Sequence, residues 1–140
     1  MRKALLAGAL FVSLALILTS CSGSSANAPS TSINVTLTDF AFSPATFTVP
    51  AGAQISFTAV NNGADVHSFL IMKKGDDVSG HFTDADKQNV YWGKQPINPG
   101  QTVSDTFTAP SDPGTYQIVC GEPGHLEAGM VAKLIVVSGK

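Results

Sequence analysis

The chain has 140 residues, enough for one domain. Charged residues make up only 13% of it and the formal net charge is −2, which argues against a nucleic-acid partner, because such a partner would require a basic face. Valine, threonine, isoleucine and phenylalanine are plentiful, and this composition favours β-strands over a helical bundle.

The first twenty residues have the features of a secretory signal peptide. Arg2 and Lys3 form a short positive region, and residues 4–18 form an uncharged, largely apolar run. As a helix this run would rise about 22 Å, at about 1.5 Å a residue, which is short of the ~30 Å hydrocarbon core of a membrane. We therefore predict that residues 1–20 are an export signal and not a membrane-spanning helix.

The signal ends in Leu18-Thr19-Ser20-Cys21, which resembles the bacterial lipobox. In such signals the cysteine is acylated and becomes the new N-terminus, so we predict that Cys21 is lipidated. An ordinary signal with a chance cysteine and an uncleaved anchor are the alternatives. All three place the domain outside the cytoplasm, and the lipoprotein would be anchored in the periplasm or on the outer face of the cytoplasmic membrane.

The chain has two cysteines, Cys21 and Cys120, which in an exported protein would ordinarily suggest a disulfide. Acylation of Cys21 would prevent that pairing and leave Cys120 alone. Removal of Arg2 and Lys3 leaves six basic residues against ten acidic ones, a formal charge of −4. A mildly acidic surface of this kind is compatible with a basic partner.

Residues 22–32 read SGSSANAPSTS and contain no large apolar side chain. Such a segment cannot bury enough surface to become ordered, so we predict that residues 21–32 are the acylated cysteine and a flexible tether. The tether would have a root-mean-square reach of about 17–20 Å. The globular domain is predicted to cover residues 33–140.

From Ile33 onwards apolar residues recur at every second position, the period of a strand with one buried face. Turn sequences such as Pro50-Ala51-Gly52 and Pro113-Gly114 separate the strands. We predict an all-β fold, a two-sheet Greek-key β-sandwich of about seven to eight mainly antiparallel strands. The predicted strands are 33–37, 46–49, 54–61, 66–73, 101–108, 114–120 and 130–137.

Residues 74–100 lack this alternation and are mostly polar. We predict a long loop there, with one or two helical turns, outside the core. His81 lies among these polar residues and is expected on the surface.

The final predicted loop places a cysteine, a histidine and a methionine at five-residue intervals, as Cys120, His125 and Met130. Alternation places Cys120 on the inward face of its strand, at the end of that strand. His125 follows in the loop, and Met130 opens the next strand. A second histidine, His67, lies far upstream, in the predicted strand 66–73.

Two imidazoles, a thiolate and a weakly bound thioether are the ligands of a one-electron copper site. Cu(I) prefers soft sulfur and Cu(II) prefers nitrogen, so this mixed set suits neither state fully and tolerates both. We therefore predict that His67, Cys120, His125 and Met130 bind one copper ion at one end of the sandwich.

Taken singly, each of these residues has an ordinary structural explanation. Cys120 could be a small buried apolar side chain, His67 a hydrogen-bonded core histidine, and Met130 core packing. Their order and spacing together favour the metal site.

The segment resembles the cupredoxins, the plastocyanin/azurin family of type 1 (blue) copper proteins, and in particular their auracyanin-like membrane-tethered forms. In that family the first histidine follows a turn, here Asn62-Gly63, and the other three ligands come from the final loop. The resemblance covers residues 33–137 and implies a cupredoxin fold. One departure is Ser68, since the family usually has an asparagine after the first histidine, whose side chain bridges the two ligand segments.

Several other copper and zinc functions are disfavoured. A dinuclear copper centre needs two cysteines in the final loop, and copper oxidases need further domains and more histidines. A catalytic zinc needs an open coordination position and a base, and Met130 would occupy that position. No Ser/His/Asp or paired-carboxylate arrangement stands out, so we do not expect an enzyme.

The predicted function is a monomeric one-electron carrier between membrane redox complexes. Candidate partners are a quinol-oxidising complex, a cytochrome or terminal oxidase, and a photosynthetic reaction centre. We expect His125 to be the shallowest ligand, surrounded by an apolar docking patch of Pro123, Gly124, Leu126, Ala128 and Gly129. The alternative is an extracytoplasmic copper-binding or copper-delivery protein without redox traffic, although the chain has only three methionines, fewer than expected of an exchangeable site.

Overall fold

Nine β-strands and one short 3-10 helix make up residues 28–139, the part of the chain that the computed structural model describes. The strands are β1 (Ser32–Thr38), β2 (Ala41–Ser43), β3 (Thr46–Pro50), β4 (Gln54–Asn61), β5 (His67–Met72), β6 (Val90–Ile97), β7 (Thr102–Thr108), β8 (Gly114–Val119) and β9 (Val131–Val137). The 3-10 helix, Asp84–Asn89, directly precedes β6. The all-β prediction is therefore confirmed.

The strands form two sheets, in the orders β2-β1-β4-β7 and β3-β9-β8-β5-β6. Pairing between strands is antiparallel except for β1 with β4 and β3 with β9. The parallel pair of β1 and β4 brings the turn after β1 next to the turn after β4, at the same end of the sandwich. This end also carries the start of β5.

The core lies between the two sheets and follows the period-two pattern of the strands. In β1 the side chains of Ile33, Val35 and Leu37 are buried, while the residues between them face outwards. Phe69 occupies the centre of the core, 4.9 Å from Phe57 between ring centroids. Burying one large apolar side chain of this kind contributes about 1.5–3 kcal/mol.

β5 is buried along its whole length because both of its faces are covered. One face belongs to the core between the sheets, and the other supports a second apolar cluster. Its buried members are Leu70, Met72, Val119 and Leu126, with Val78, Phe82 and Val90 packed against them. The segment between β5 and β6 therefore covers this outer face, through Val78 and Phe82.

The prediction of a loop over residues 74–100 is wrong in its last part, where β6 runs from Val90 to Ile97. Its sequence carries Gly93 and Pro96, which usually argue against a strand. β6 is an edge strand that pairs only with β5, and an edge tolerates a proline because one side needs no hydrogen bond. A register shift opposite Ser68 accommodates Gln95 and Pro96.

The N-terminal predictions fall largely outside the described residues. The export signal, residues 1–20, and the acylation site Cys21 lie there and stay predictions. Within the described residues, Ser30 donates its backbone N–H to Thr48 O at 2.9 Å, and β1 starts at Ser32. Within residues 28–139, no helix is long and apolar enough to cross a bilayer.

Candidate metal centre

Strand pairing brings the predicted metal-binding residues to one end of the sandwich. His67 is the first residue of β5, and Cys120 follows the last residue of β8. β5 and β8 are antiparallel neighbours, so the start of one lies beside the end of the other. Met130 immediately precedes β9, and Cys120 donates its backbone N–H to Met130 O at 3.3 Å.

The loop between β8 and β9 is folded tightly by its own backbone. His125 donates its N–H to Glu122 O, and its carbonyl accepts the N–H of Met130 at 3.0 Å. Gly124 has a φ of 85°, in the left-handed region that glycine adopts without strain, and it directly precedes His125. The loop conformation therefore turns the His125 ring back towards Cys120.

Three donor atoms meet at this end. Nδ1 of His67 lies 3.1 Å from Nδ1 of His125, and Cys120 Sγ lies 3.4 Å from His125 Nδ1 and 4.0 Å from His67 Nδ1. A point equidistant from these three atoms is about 2.1 Å from each, within the ~2.0–2.3 Å of metal–nitrogen and metal–sulfur bonds. The donors are thus already spaced to hold a metal ion.

The four predicted ligands differ in depth. His67, Cys120 and Met130 have no exposed surface, whereas His125 is 8% exposed. His125 is therefore the shallowest of the four, as expected. His81 is exposed and takes no part in the donor cluster, as also expected.

The Cys120 sulfur lies in an apolar setting with two backbone donors. Burial raises the pKa of the Cys120 thiol, and the backbone N–H groups of Glu122 and Ser68 oppose that rise. The N–H of Ser68 is 3.3 Å from the sulfur. The thiolate is the form of cysteine that binds metal, so a bound ion would displace the thiol proton, and the two N–H groups would stabilise the charge on the sulfur.

Ser68 bridges the two segments that carry the donors. Its Oγ accepts the backbone N–H of Gly121 at 2.7 Å, and it lies 3.7 Å from Cys120 Sγ. Serine therefore makes the connection for which an asparagine is usual in the resembled family.

Two residues that sequence reasoning missed lie in the turn between β1 and β2. Asp39 Oδ1 is 3.0 Å from Nε2 of His67. The Phe40 ring packs edge-on against the His125 ring, with 4.7 Å between centroids.

The pKa of the Asp39 carboxyl is lowered, chiefly by the N–H of Ala64 and further by the N–H of Asp65 and by His67. The sequence around Asp39 and Phe40 reads only as a turn, so nothing local signals these contacts.

The predicted apolar patch around His125 needs one correction. Pro123, Gly124, Ala128 and Gly129 are exposed, but Leu126 is only 8% exposed. Its side chain points inwards, into the second apolar cluster beside β5. Phe40, which is 39% exposed and contacts the His125 ring, is the large apolar side chain on this surface instead of Leu126.

A family model described as a cupredoxin-like domain matches residues 10–136. Auracyanin-A of Chloroflexus aurantiacus is 31% identical over 70% of this chain and 68% of its own length. The copper-resistant cuproprotein CopI of Rubrivivax gelatinosus is 30% identical over 68% of this chain and 59% of its own. The chain spans about half to two thirds of the curated relatives it matches.

Among solved structures, the dithionite-reduced auracyanin of Roseiflexus castenholzii superposes with a TM-score of 0.67. It is 31% identical in sequence, and the alignment covers 78% of this chain and 98% of that one. The similarity therefore extends over nearly all of the described residues.

Proposed function

The chain belongs to the family of cupredoxin-like domains, and on that premise we propose that it is a one-electron carrier with one type 1 copper ion. His67, Cys120 and His125 would hold the ion, and Met130 would be a fourth, weaker ligand. Copper bound there would supply one reversible electron, as Cu(I) and Cu(II). No substrate is transformed, and the protein is proposed to act as a carrier and not as an enzyme.

The observation that carries this proposal is the prearranged donor triangle. The three donors come from the start of β5, the end of β8 and a hydrogen-bonded loop, all within the folded sandwich. Their side chains are buried, so repacking is costly and the positions are held in either charge state. A site whose ligands stay in place exchanges an electron with little rearrangement.

The proposed electron route leaves through His125. We define the docking face as Phe40, Pro123, Gly124 and His125, which line one shallow depression. Asp65, Val66 and Glu122 line the same depression. Exposed apolar residues with acidic residues beside them suit brief contact with a partner that carries basic residues, since complementary charge raises the association rate.

The proposed partners are membrane redox complexes outside the cytoplasm: a quinol-oxidising complex, a cytochrome or terminal oxidase, or a photosynthetic reaction centre. The lipid on Cys21 and the polar tether after it would keep the domain near such complexes. The domain is proposed to work as a monomer.

The copper site is tested by the visible spectrum of the purified, copper-loaded protein. An intense thiolate-to-copper band is expected after oxidation, and it should disappear in Cys120→Ser, which replaces the sulfur by oxygen. A wild-type protein that has bound copper and stays colourless after oxidation would overturn the type 1 site.

The carrier role is tested by placing a charge on the docking face. Pro123→Lys should leave the spectrum unchanged and slow the reduction of bound copper by membranes of the source organism, because a solvated ammonium group resists close contact. The control is Ser111→Lys, which adds the same charge to an exposed position in the loop before β8, at the opposite end of that strand. Equal rates in both variants would contradict electron exit through this face.

Copper delivery is the second candidate, and the similarity to a copper-resistant cuproprotein favours it. Burial of all four proposed ligands argues against it, because a buried metal ion exchanges slowly. One comparison distinguishes the two roles. It sets the rate of copper transfer to a chelator beside the rate of electron transfer to a soluble redox dye. A delivery protein would release copper faster than it exchanges electrons.

A further inference from the structure

Both nitrogens of the buried His67 ring have partners of different kinds. Nδ1 faces the donor cluster, 3.1 Å from His125 Nδ1, whereas Nε2 points the other way and lies 3.0 Å from Asp39 Oδ1. A carboxylate only accepts hydrogen bonds, so the proton of a neutral ring is drawn to Nε2. Nδ1 is thereby left with a free lone pair directed at the metal position.

Asp39 is itself held in place. Its carboxylate accepts the backbone N–H of Ala64 at 2.8 Å and that of Asp65 at 3.3 Å, both in the turn that leads into His67. The parallel pairing of β1 with β4 sets these two turns side by side. The carboxylate therefore connects the turn after β1 to the backbone that positions His67.

A buried amide supports the same turn. Asn61 has no exposed surface and donates to Asp65 O at 2.8 Å and to Ile97 O at 2.9 Å. Its Oδ1 accepts the N–H of Gly63 at 2.9 Å. The backbone that holds Asp39 is therefore fixed from the core side as well.

Gly63 leaves the space that the contact between Asp39 and His67 occupies. A Cβ at this position would clash with Asp39 Oδ1 and would lie 2.9 Å from Nε2 of His67. The φ of Gly63 is not in the left-handed region, so the requirement for glycine here is one of room. Any larger residue would displace the carboxylate from the ring.

We propose that Asp39 is the positioning residue of the metal centre, fixing the tautomer and orientation of His67 through Nε2. The proposal rests on the proposed copper site. A carboxylate that accepts the far proton of a metal-bound histidine makes the ring a stronger donor, and the loss of such a partner typically costs about 10–100-fold in metal affinity. A stronger imidazole donor, with an anionic carboxylate behind it, also favours the more highly charged Cu(II) over Cu(I).

The main test compares Asp39→Asn and Asp39→Ala with wild type at one fixed pH. Copper(II) affinity should fall about 10–100-fold in Asp39→Ala and less in Asp39→Asn, which keeps an oxygen acceptor but loses the charge. The reduction potential should rise in both. The control is Asp76→Asn, which removes an exposed charge from the loop after β5, at the opposite end of that strand from His67.

A second variant disturbs the contact between Asp39 and His67 while Asp39 itself is unchanged. Gly63→Ala should lower copper affinity and raise the potential in the same direction as Asp39→Ala. Its control is Gly139→Ala, where a Cβ would make only an ordinary 3.7 Å contact with Ala51 O. Thermal unfolding of the metal-free variants shows whether each remains folded.

The metal-free protein gives an independent readout. Nitrogen NMR of the imidazole rings should show His67 protonated at Nε2 in wild type and in Asp76→Asn, and a mixture of tautomers in Asp39→Ala. If Asp39→Ala matches wild type in tautomer, affinity and potential, the positioning role is refuted although the copper site stands. If wild type forms no thiolate–copper band, the copper site fails whatever the tautomer result.

Discussion

Ser68 is the side chain that joins the two segments carrying the donor residues. Its hydroxyl accepts the N–H of Gly121, and its backbone N–H points to Cys120 Sγ. Ser68 is fully buried, so bulk water cannot take the place of its hydroxyl when the side chain is truncated. The hydroxyl therefore acts on both the stability of the fold and the surroundings of the sulfur.

Ser68→Ala should lower the free energy of unfolding of the metal-free protein by about 1–3 kcal/mol, because the Gly121 N–H loses its acceptor. Urea unfolding measures this. Ser104→Ala is the matched control, since the Ser104 hydroxyl is exposed and makes only a 3.3 Å contact with Thr58. A loss in Ser68→Ala no larger than in the control would mean that water satisfies the N–H.

Met130 is expected to tune the potential without setting the colour. Met130→Leu should keep the thiolate-to-copper band and raise the reduction potential, since an alkyl group donates nothing to Cu(II). Met130→Gln should lower the potential, because a carbonyl oxygen is a harder ligand. Voltammetry of the three proteins decides the matter, and equal potentials would show that Met130 is not the axial ligand.

At the residue scale, order and spacing in the chain were enough to predict which residues cluster. Cys120, His125 and Met130 share one loop, so their proximity follows from local sequence. Asp39 and Phe40 could not be found in this way. Their contacts depend on β1 pairing in parallel with β4, a long-range event that leaves no periodic pattern around Asp39.

Among the elements, the loop between β8 and β9 has two sides with different roles. One side carries His125 and exposed Pro123 and Gly124, and the other anchors Leu126 in the cluster beside β5. Leu126 thus keeps the loop attached to the sandwich.

Leu126→Ala should lower the free energy of unfolding by about 2–5 kcal/mol, because it leaves a cavity next to Leu70 and Val119. Leu126→Lys should destabilise the fold as well, by burying an ammonium group, and is therefore unsuited to probe docking. Ala128→Lys is the comparison, since Ala128 is exposed in the same loop. Equal melting temperatures for Leu126→Lys and Ala128→Lys would contradict the inward position of Leu126.

Strands with regular alternation were predictable, and the irregular edge strand was not. β1, β4 and β9 alternate between buried and more exposed positions. β6 has one fully buried residue, Ile97. It is held by its pairing with β5 and by Trp92, whose ring stacks on Phe107 at 4.4 Å between centroids. Its edge position and its register shift depend on how β6 pairs with β5, and the periodicity of the sequence does not predict that pairing.

For the whole molecule, the outstanding prediction concerns attachment to a membrane. Cys21→Ala should leave a copper-loaded domain in the soluble fraction, because a polar segment of ten residues, 22–31, separates the acylation site from the first strand. Fractionation of cells and mass spectrometry of the N-terminus test this. A mature wild-type chain that begins anywhere other than at an acylated Cys21 would contradict the lipoprotein assignment.

The loop that contains three of the proposed ligands also affects how metal binding is coupled to folding. Cys120, His125 and Met130 lie within eleven consecutive residues, so an unfolded chain still presents a thiolate, an imidazole and a thioether close together. A ligand stabilises a fold only by the excess of its affinity for the folded over the unfolded chain. Copper should therefore raise the melting temperature less than the affinity of the folded site implies. The unfolded polypeptide could also capture the ion first, with His67 joining as the sheets assemble.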